Sequence, residues 1–135
     1  MTALVRYADH WREFAQAVTG CKVKLTPGYG ISSFSGSPPT ISWDHECENR
    51  EFSVPILLHE IGHALDPACH EITKYLTRYD MTWRDYKPTS VIFETERRAW
   101  NIAKAIAPSV GISIEVVRAS EEYGMGYYRR MLADR

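Results

Sequence analysis

Apolar positions recur at helical spacing from the start of the chain: Leu4, Tyr7, Ala8, Trp11, Phe14, Ala15 and Val18 share one face, and Gly20 follows where a helix would stop. The pattern predicts an amphipathic helix over 3–18. It then changes to partial alternation in three short runs, "CKVKL" (21–25), "ISSFS" (31–35) and "TISW" (40–43), separated by the turn-rich stretches "TPGYG" and "GSPP". These predict a small three-stranded, mainly antiparallel sheet. After the polar connection "DHECENREF" (44–52), Ser53 stands where it can cap a helix whose first turn accommodates Pro55. Pro67 bends or ends that helix, and "EITKYLTRY" (71–79) can continue it in a new direction. Residues 79–90 read as a loop. Ser90 can cap a further helix running through "VIFETERRAWNIAKAIA" (91–107), stopped by Pro108 and Gly111, and the tail from Ser113 shows helical patches interrupted by "GMG". The sum is an α+β chain with a helical tail.

At 135 residues this is one domain, 1–135, large enough to bury an ordinary hydrophobic core. With 44% hydrophobic and 24% charged residues it has the composition of a globular protein. A net charge of -1 supplies no basic field for phosphates, although Arg129, Arg130 and Arg135 form a small patch, so nucleic acid is not expected as a partner. No run of about 18 apolar residues suggests a membrane span. The opening "MTALVRYADHWREF" lacks the uninterrupted apolar run of a secretory leader, which predicts a cytoplasmic location. Cys21, Cys47 and Cys69 cannot all pair within one chain and show no C-x-x-C spacing, so they read as free thiols.

The chemistry is concentrated in "LLHEIGHALD" (57–66). Residues four apart on a helix project from one face, so His59 and His63 can offer imidazole nitrogens to a single ion. Glu60 lies one residue round, where a carboxylate outside the ligand set can accept a proton from a metal-bound water. Leu57, Leu58, Ile61 and Leu65 form the opposite, core-facing side. The competing reading is a buried helix whose histidines are satisfied by nearby carbonyls or carboxylates. A catalytic zinc ion takes three protein ligands, so a third must come from elsewhere.

In the helix after Ser90, Ile92, Phe93, Glu96, Ala99, Trp100, Ala103 and Ile106 share one broad stripe, which Glu96 alone interrupts. A buried carboxylate needs a cation, and an ion held by His59 and His63 would supply it. The alternatives are an arginine salt bridge or a half-exposed helix edge for Glu96, and Glu94 as the ligand in its place. Asp66, three residues after His63, can fix a histidine tautomer or simply end its helix before Pro67. His45, Cys47, Cys69 and His70 fit no zinc-module spacing.

"HEIGHALD" followed by "ERRAW" resembles the two halves of a gluzincin metallopeptidase, H-E-x-x-H on one helix and a glutamate in E-x-x-A context on the next. The order of elements is similar to the minigluzincins. The "HALD" ending is similar to the catalytic domain of anthrax lethal factor and the Pro-Pro endopeptidases. Over roughly residues 20–107, the resemblance implies a zincin-like fold, a peptide or protein substrate, and Zn2+ held by His59, His63 and Glu96 with Glu60 as general base. In gluzincins an edge strand above the active-site helix pairs with extended substrate, a part open here to "TISW" or "ISSFS". The tyrosine that the lethal factor group carries seven residues before its third ligand is replaced by Thr89, which leaves Tyr86 as the nearest candidate oxyanion donor. The metzincin pattern fails, because His70 comes seven residues after His63 and lacks the required glycine. Two other functions stand beside a general peptidase. One is a non-enzymatic regulator or binding module with a structural metal, with the tyrosine-rich "EEYGMGYYRRM" as an interface. The other is a regulatory protease cleaving a repressor, as a similarity to intracellular repressor-cleaving metallopeptidases implies.

Overall fold

The apolar side of the motif helix becomes the centre of the molecule: Leu57, Leu58 and Ile61 have no exposed surface, and Trp43 and Ile41 of the sheet close over them equally dry. Each such side chain contributes about 1.5–3 kcal/mol by leaving water. A computed structural model describes residues 3–30, 32–36, 38–83, 85–86 and 89–133, the side chains of 3–5, 36, 89, 127 and 131–133 excepted. Among them the elements run α1 (Ala3–Thr19), β1 (Lys22–Leu25), β2 (Ser33–Gly36), β3 (Pro39–Trp43), a 3-10 turn (Arg50–Phe52), α2 (Ser53–Leu65), α3 (Pro67–Arg78), α4 (Thr89–Ile106), a second 3-10 turn (Ala107–Val110) and α5 (Ile114–Ala133). The class is α+β. No helix among these residues is long and apolar enough to cross a membrane.

The three strands fall where the alternation places them, but the sheet is mixed rather than mainly antiparallel. Its order is β1-β3-β2, with β2 antiparallel to β3 (Phe34 opposite Ile41) and β1 parallel to β3 (Val23 opposite Ile41). The reason lies in "TPGYG". Instead of turning β1 into a hairpin with β2, this stretch is bound to the end of β3. Thr26 donates its N–H to the Trp43 carbonyl at 2.9 Å, and the Asp44 carboxylate accepts the amides of Gly28 and Gly30 at 2.9 and 2.8 Å. Both glycines have left-handed backbone, φ 73° and 83°, which turns their N–H groups toward one acceptor. The chain therefore passes over the end of the sheet and enters on its far side. "TISW" is consequently the central strand and offers no free edge, whereas β2 is an edge.

Three further local expectations change. Ser53 does not cap α2: the 3-10 turn runs straight into the helix, and the Ser53 hydroxyl donates instead to the His45 carbonyl at 3.1 Å. Leu65, expected on the buried face, is 43% exposed at the helix end. α5 runs unbroken through Gly124-Met125-Gly126, because Met125 is buried in the core and Gly124 sits on the Trp100 ring, contacts that outweigh the roughly 1 kcal/mol helix cost of each glycine.

Among the described residues α2 and α4 make the most extensive helix contact. A Cβ placed on Gly62 would overlap the Ala99 carbonyl oxygen and stand 2.8 Å from the Ala99 Cα. Gly62 therefore lets the backbones of the histidine helix and the glutamate helix touch.

Candidate metal centre

α2 is buried on nearly every side, with 11 of its 13 residues in the interior. The i, i+4 spacing turns His59 and His63 the same way, their rings 4.5 Å apart at 70°. α4, in contact at Gly62, delivers Glu96 between them. Glu96 Oε2 lies 2.6 Å from His59 Nε2, and Oε1 lies 3.0 Å from His63 Nε2. One turn further along α4, Trp100 stacks on the His59 ring at 4.3 Å and 17°, fixing its plane. None of His59, Glu60, His63 and Glu96 exceeds 9% exposure.

Charge holds this cluster together against desolvation. Burial alone pushes the imidazoles down and the carboxyl up. The Glu96 charge, joined at His59 by Glu60, overrides that and lifts each histidine to about 10, and the two imidazoliums hold Glu96 well below the usual carboxylate range. Raised imidazole pKa values favour protonated nitrogens, so uptake of a cation at this site would release protons.

The donor set fits a divalent ion. One ligand atom from each of His59, His63 and Glu96 lies within 4.8 Å of the others, the only such group among the described residues. Two imidazole nitrogens and one carboxylate are a set that zinc accepts. Glu60 is placed beside them: its Oε1 is 3.2 Å from His59 Nδ1, while its buried Oε2 finds no hydrogen-bond partner among the described residues. A buried carboxylate oxygen without a protein partner calls for a water or a substrate group.

The four motif residues lie together, and Glu96 is paired with the two histidines and Tyr128 rather than with an arginine or solvent; both imidazoles have carboxylate partners, which the competing reading of this helix also expects. Glu94 points to solvent and pairs with Arg97 at 3.4 Å. Asp66 does not fix a histidine. It caps α3 through the Ala68 amide at 3.1 Å and binds Arg98 Nε at 3.0 Å. His70 lies 2.6 Å from the Ala64 carbonyl through Nε2 and packs edge-on to Phe34. Tyr86 packs edge-on to Tyr75. All three cysteines are free. Two site residues escape sequence reasoning. Tyr128 of α5 donates its hydroxyl to Glu96 Oε1 at 3.2 Å, and Cys69 of α3 places its sulfur 3.5 Å from His63 Nδ1. Neither has a short-range signal, apart from the concentration of tyrosines in the tail.

Compared with family models, curated proteins and solved structures, the chain matches none.

Proposed function

We propose that this chain is a zinc-dependent peptidase of gluzincin type. The observation that carries the reading is the convergence of His59 Nε2, His63 Nε2 and the Glu96 carboxylate from two helices onto one point. When bound there, zinc lowers the pKa of water toward 7 and polarises a carbonyl. The protein's own groups do the rest. His59, His63 and Glu96 hold the ion, and Trp100 keeps the first ring in plane. Glu60, whose Oε2 has no hydrogen-bond partner among the described residues, takes the proton of the attacking water and returns it to the leaving amine. The edge strand β2 packs against α2 and α3 and presents backbone groups to which an extended peptide can add. The Tyr128 hydroxyl, already at Glu96, is better placed than Tyr86 to meet an oxyanion.

A second reading, a binding or regulatory module with a structural metal, is favoured by one feature: the four motif residues are nearly closed to solvent, and Tyr128 of α5 lies against Glu96. The two readings separate cleanly. Under the peptidase reading the purified protein carries stoichiometric zinc, Glu96→Ala loses it, and Glu60→Gln keeps it while cleavage of a proteome-derived peptide library, read by mass spectrometry, falls at least a hundredfold. If Glu60→Gln with zinc bound cleaves as fast as the parent, the peptidase reading is wrong.

A further inference from the structure

An imidazole that binds an ion through Nε2 must keep its proton on Nδ1 and needs an acceptor there to hold that tautomer. His59 has one in Glu60, whose Oε1 faces its Nδ1 at 3.2 Å. For His63 the group in that place is a thiol. Cys69 Sγ lies 3.5 Å from His63 Nδ1, with the sulfur's residue 1% exposed and the ring's 5%.

The neighbouring polar groups are committed elsewhere. Asp66 spends one carboxylate oxygen on the Ala68 amide and the other on Arg98, and His70 is taken by the Ala64 carbonyl. The position of Cys69 follows from the same junction. Asp66 in extended conformation, followed by Pro67, ends α2 and starts α3 in a new direction, and the first turn of α3 brings the Cys69 sulfur to His63 Nδ1.

We propose that Cys69 is the positioning residue of the second metal-binding imidazole: its sulfur accepts the His63 Nδ1–H and thereby leaves Nε2 turned toward Glu96. The inference rests on the metal-centre reading and not on peptidase activity. Carboxylates and backbone carbonyls are the usual partners at this place. A thiol is a weaker acceptor, and it orients the ring without placing a third carboxylate beside Glu60 and Glu96. Its depth keeps solvent away from the contact.

The test compares Cys69→Ala and Cys69→Ser with Cys21→Ala. Cys21 is also buried, at 5% exposure, but its thiol faces the Thr19 carbonyl rather than the centre. Zinc affinity is measured by competition with a chromophoric chelator. Cys69→Ala should bind zinc about 10–100-fold more weakly than the parent, Cys69→Ser should recover part of that loss, and Cys21→Ala should bind as the parent does. In the zinc-loaded parent the His63 Nδ1–H should appear in proton NMR as a slowly exchanging resonance, shifted or lost in Cys69→Ala alone. Unchanged affinity in both Cys69 variants, or an equal loss in Cys21→Ala, overturns the proposal. A parent that binds no zinc overturns it together with the metal-centre reading, whereas tight binding by parent and Cys69→Ala alike removes only the role of Cys69.

Discussion

Gly62 shows how one missing side chain decides the geometry of the centre. By intrinsic propensity, alanine would be preferred at this mid-helix position by about 1 kcal/mol. The structure reverses the sign, because the added methyl would run into the Ala99 backbone of α4. Gly62→Ala should destabilise the protein by about 3 kcal/mol or more, seen as a lowered midpoint in urea denaturation, since α2 and α4 must move apart. A stabilising effect would mean that the helices are not in contact there. That His59 and His63 share one face of α2, and that Glu96 lies on the buried stripe of α4, was legible in the sequence because helical spacing sets which side chains share a face. The partners of Asp66, Cys69 and Tyr128 were not, because they depend on which helices pack together. Asp66 is the instructive case: its spacing from His63 is right for the ligand face, yet the backbone leaves the helix at that residue and the carboxylate turns to Arg98.

At the scale of elements, periodicity located the strands and the helices, but it says which face a strand buries and not which neighbour it pairs with. Whether "TPGYG" closes a hairpin or crosses the end of the sheet is decided by Asp44, sixteen residues beyond Gly28. Burial pushes the Asp44 carboxyl up, but the amides of Gly30, Gly28 and Glu46 outweigh that and hold it below its ordinary 3.8. A carboxyl with a lowered folded pKa stabilises fully above the unfolded value and loses that contribution as pH falls through the folded one. Asp44→Ala should therefore cost about 1.5–3 kcal/mol at neutral pH, and the gap between variant and parent in urea midpoints should shrink on acidification below about pH 4. A gap independent of pH would refute this account of the loop. The continuity of α5 teaches a related lesson: two glycines outline a break in isolation, but the Trp100 ring and the space for Met125 exist only in the folded chain.

For the molecule as a whole, the centre lies inside the core rather than on it. A ligand that binds only the folded state at a hundredfold excess over its Kd adds about 2.7 kcal/mol of stability, on the order of 10 °C in Tm for a chain of this size. Zinc should raise the melting temperature by that amount in thermal denaturation. Glu96→Ala should show no such rise, and magnesium, ill-suited to two imidazoles and a carboxylate, should leave the parent unchanged. A zinc-induced shift that survives Glu96→Ala would place the ion elsewhere.

The near-total burial of α2 carries a kinetic corollary. A helix with 11 of 13 residues in the interior has no side on which to loosen alone, so its peptide hydrogens should exchange with deuterium only when the entire domain opens. Mass-resolved exchange of the 53–65 segment should then follow the global unfolding constant, with no faster local phase. An ion held there would be enclosed by side chains no more than 9% exposed, so a chelator should strip it slowly.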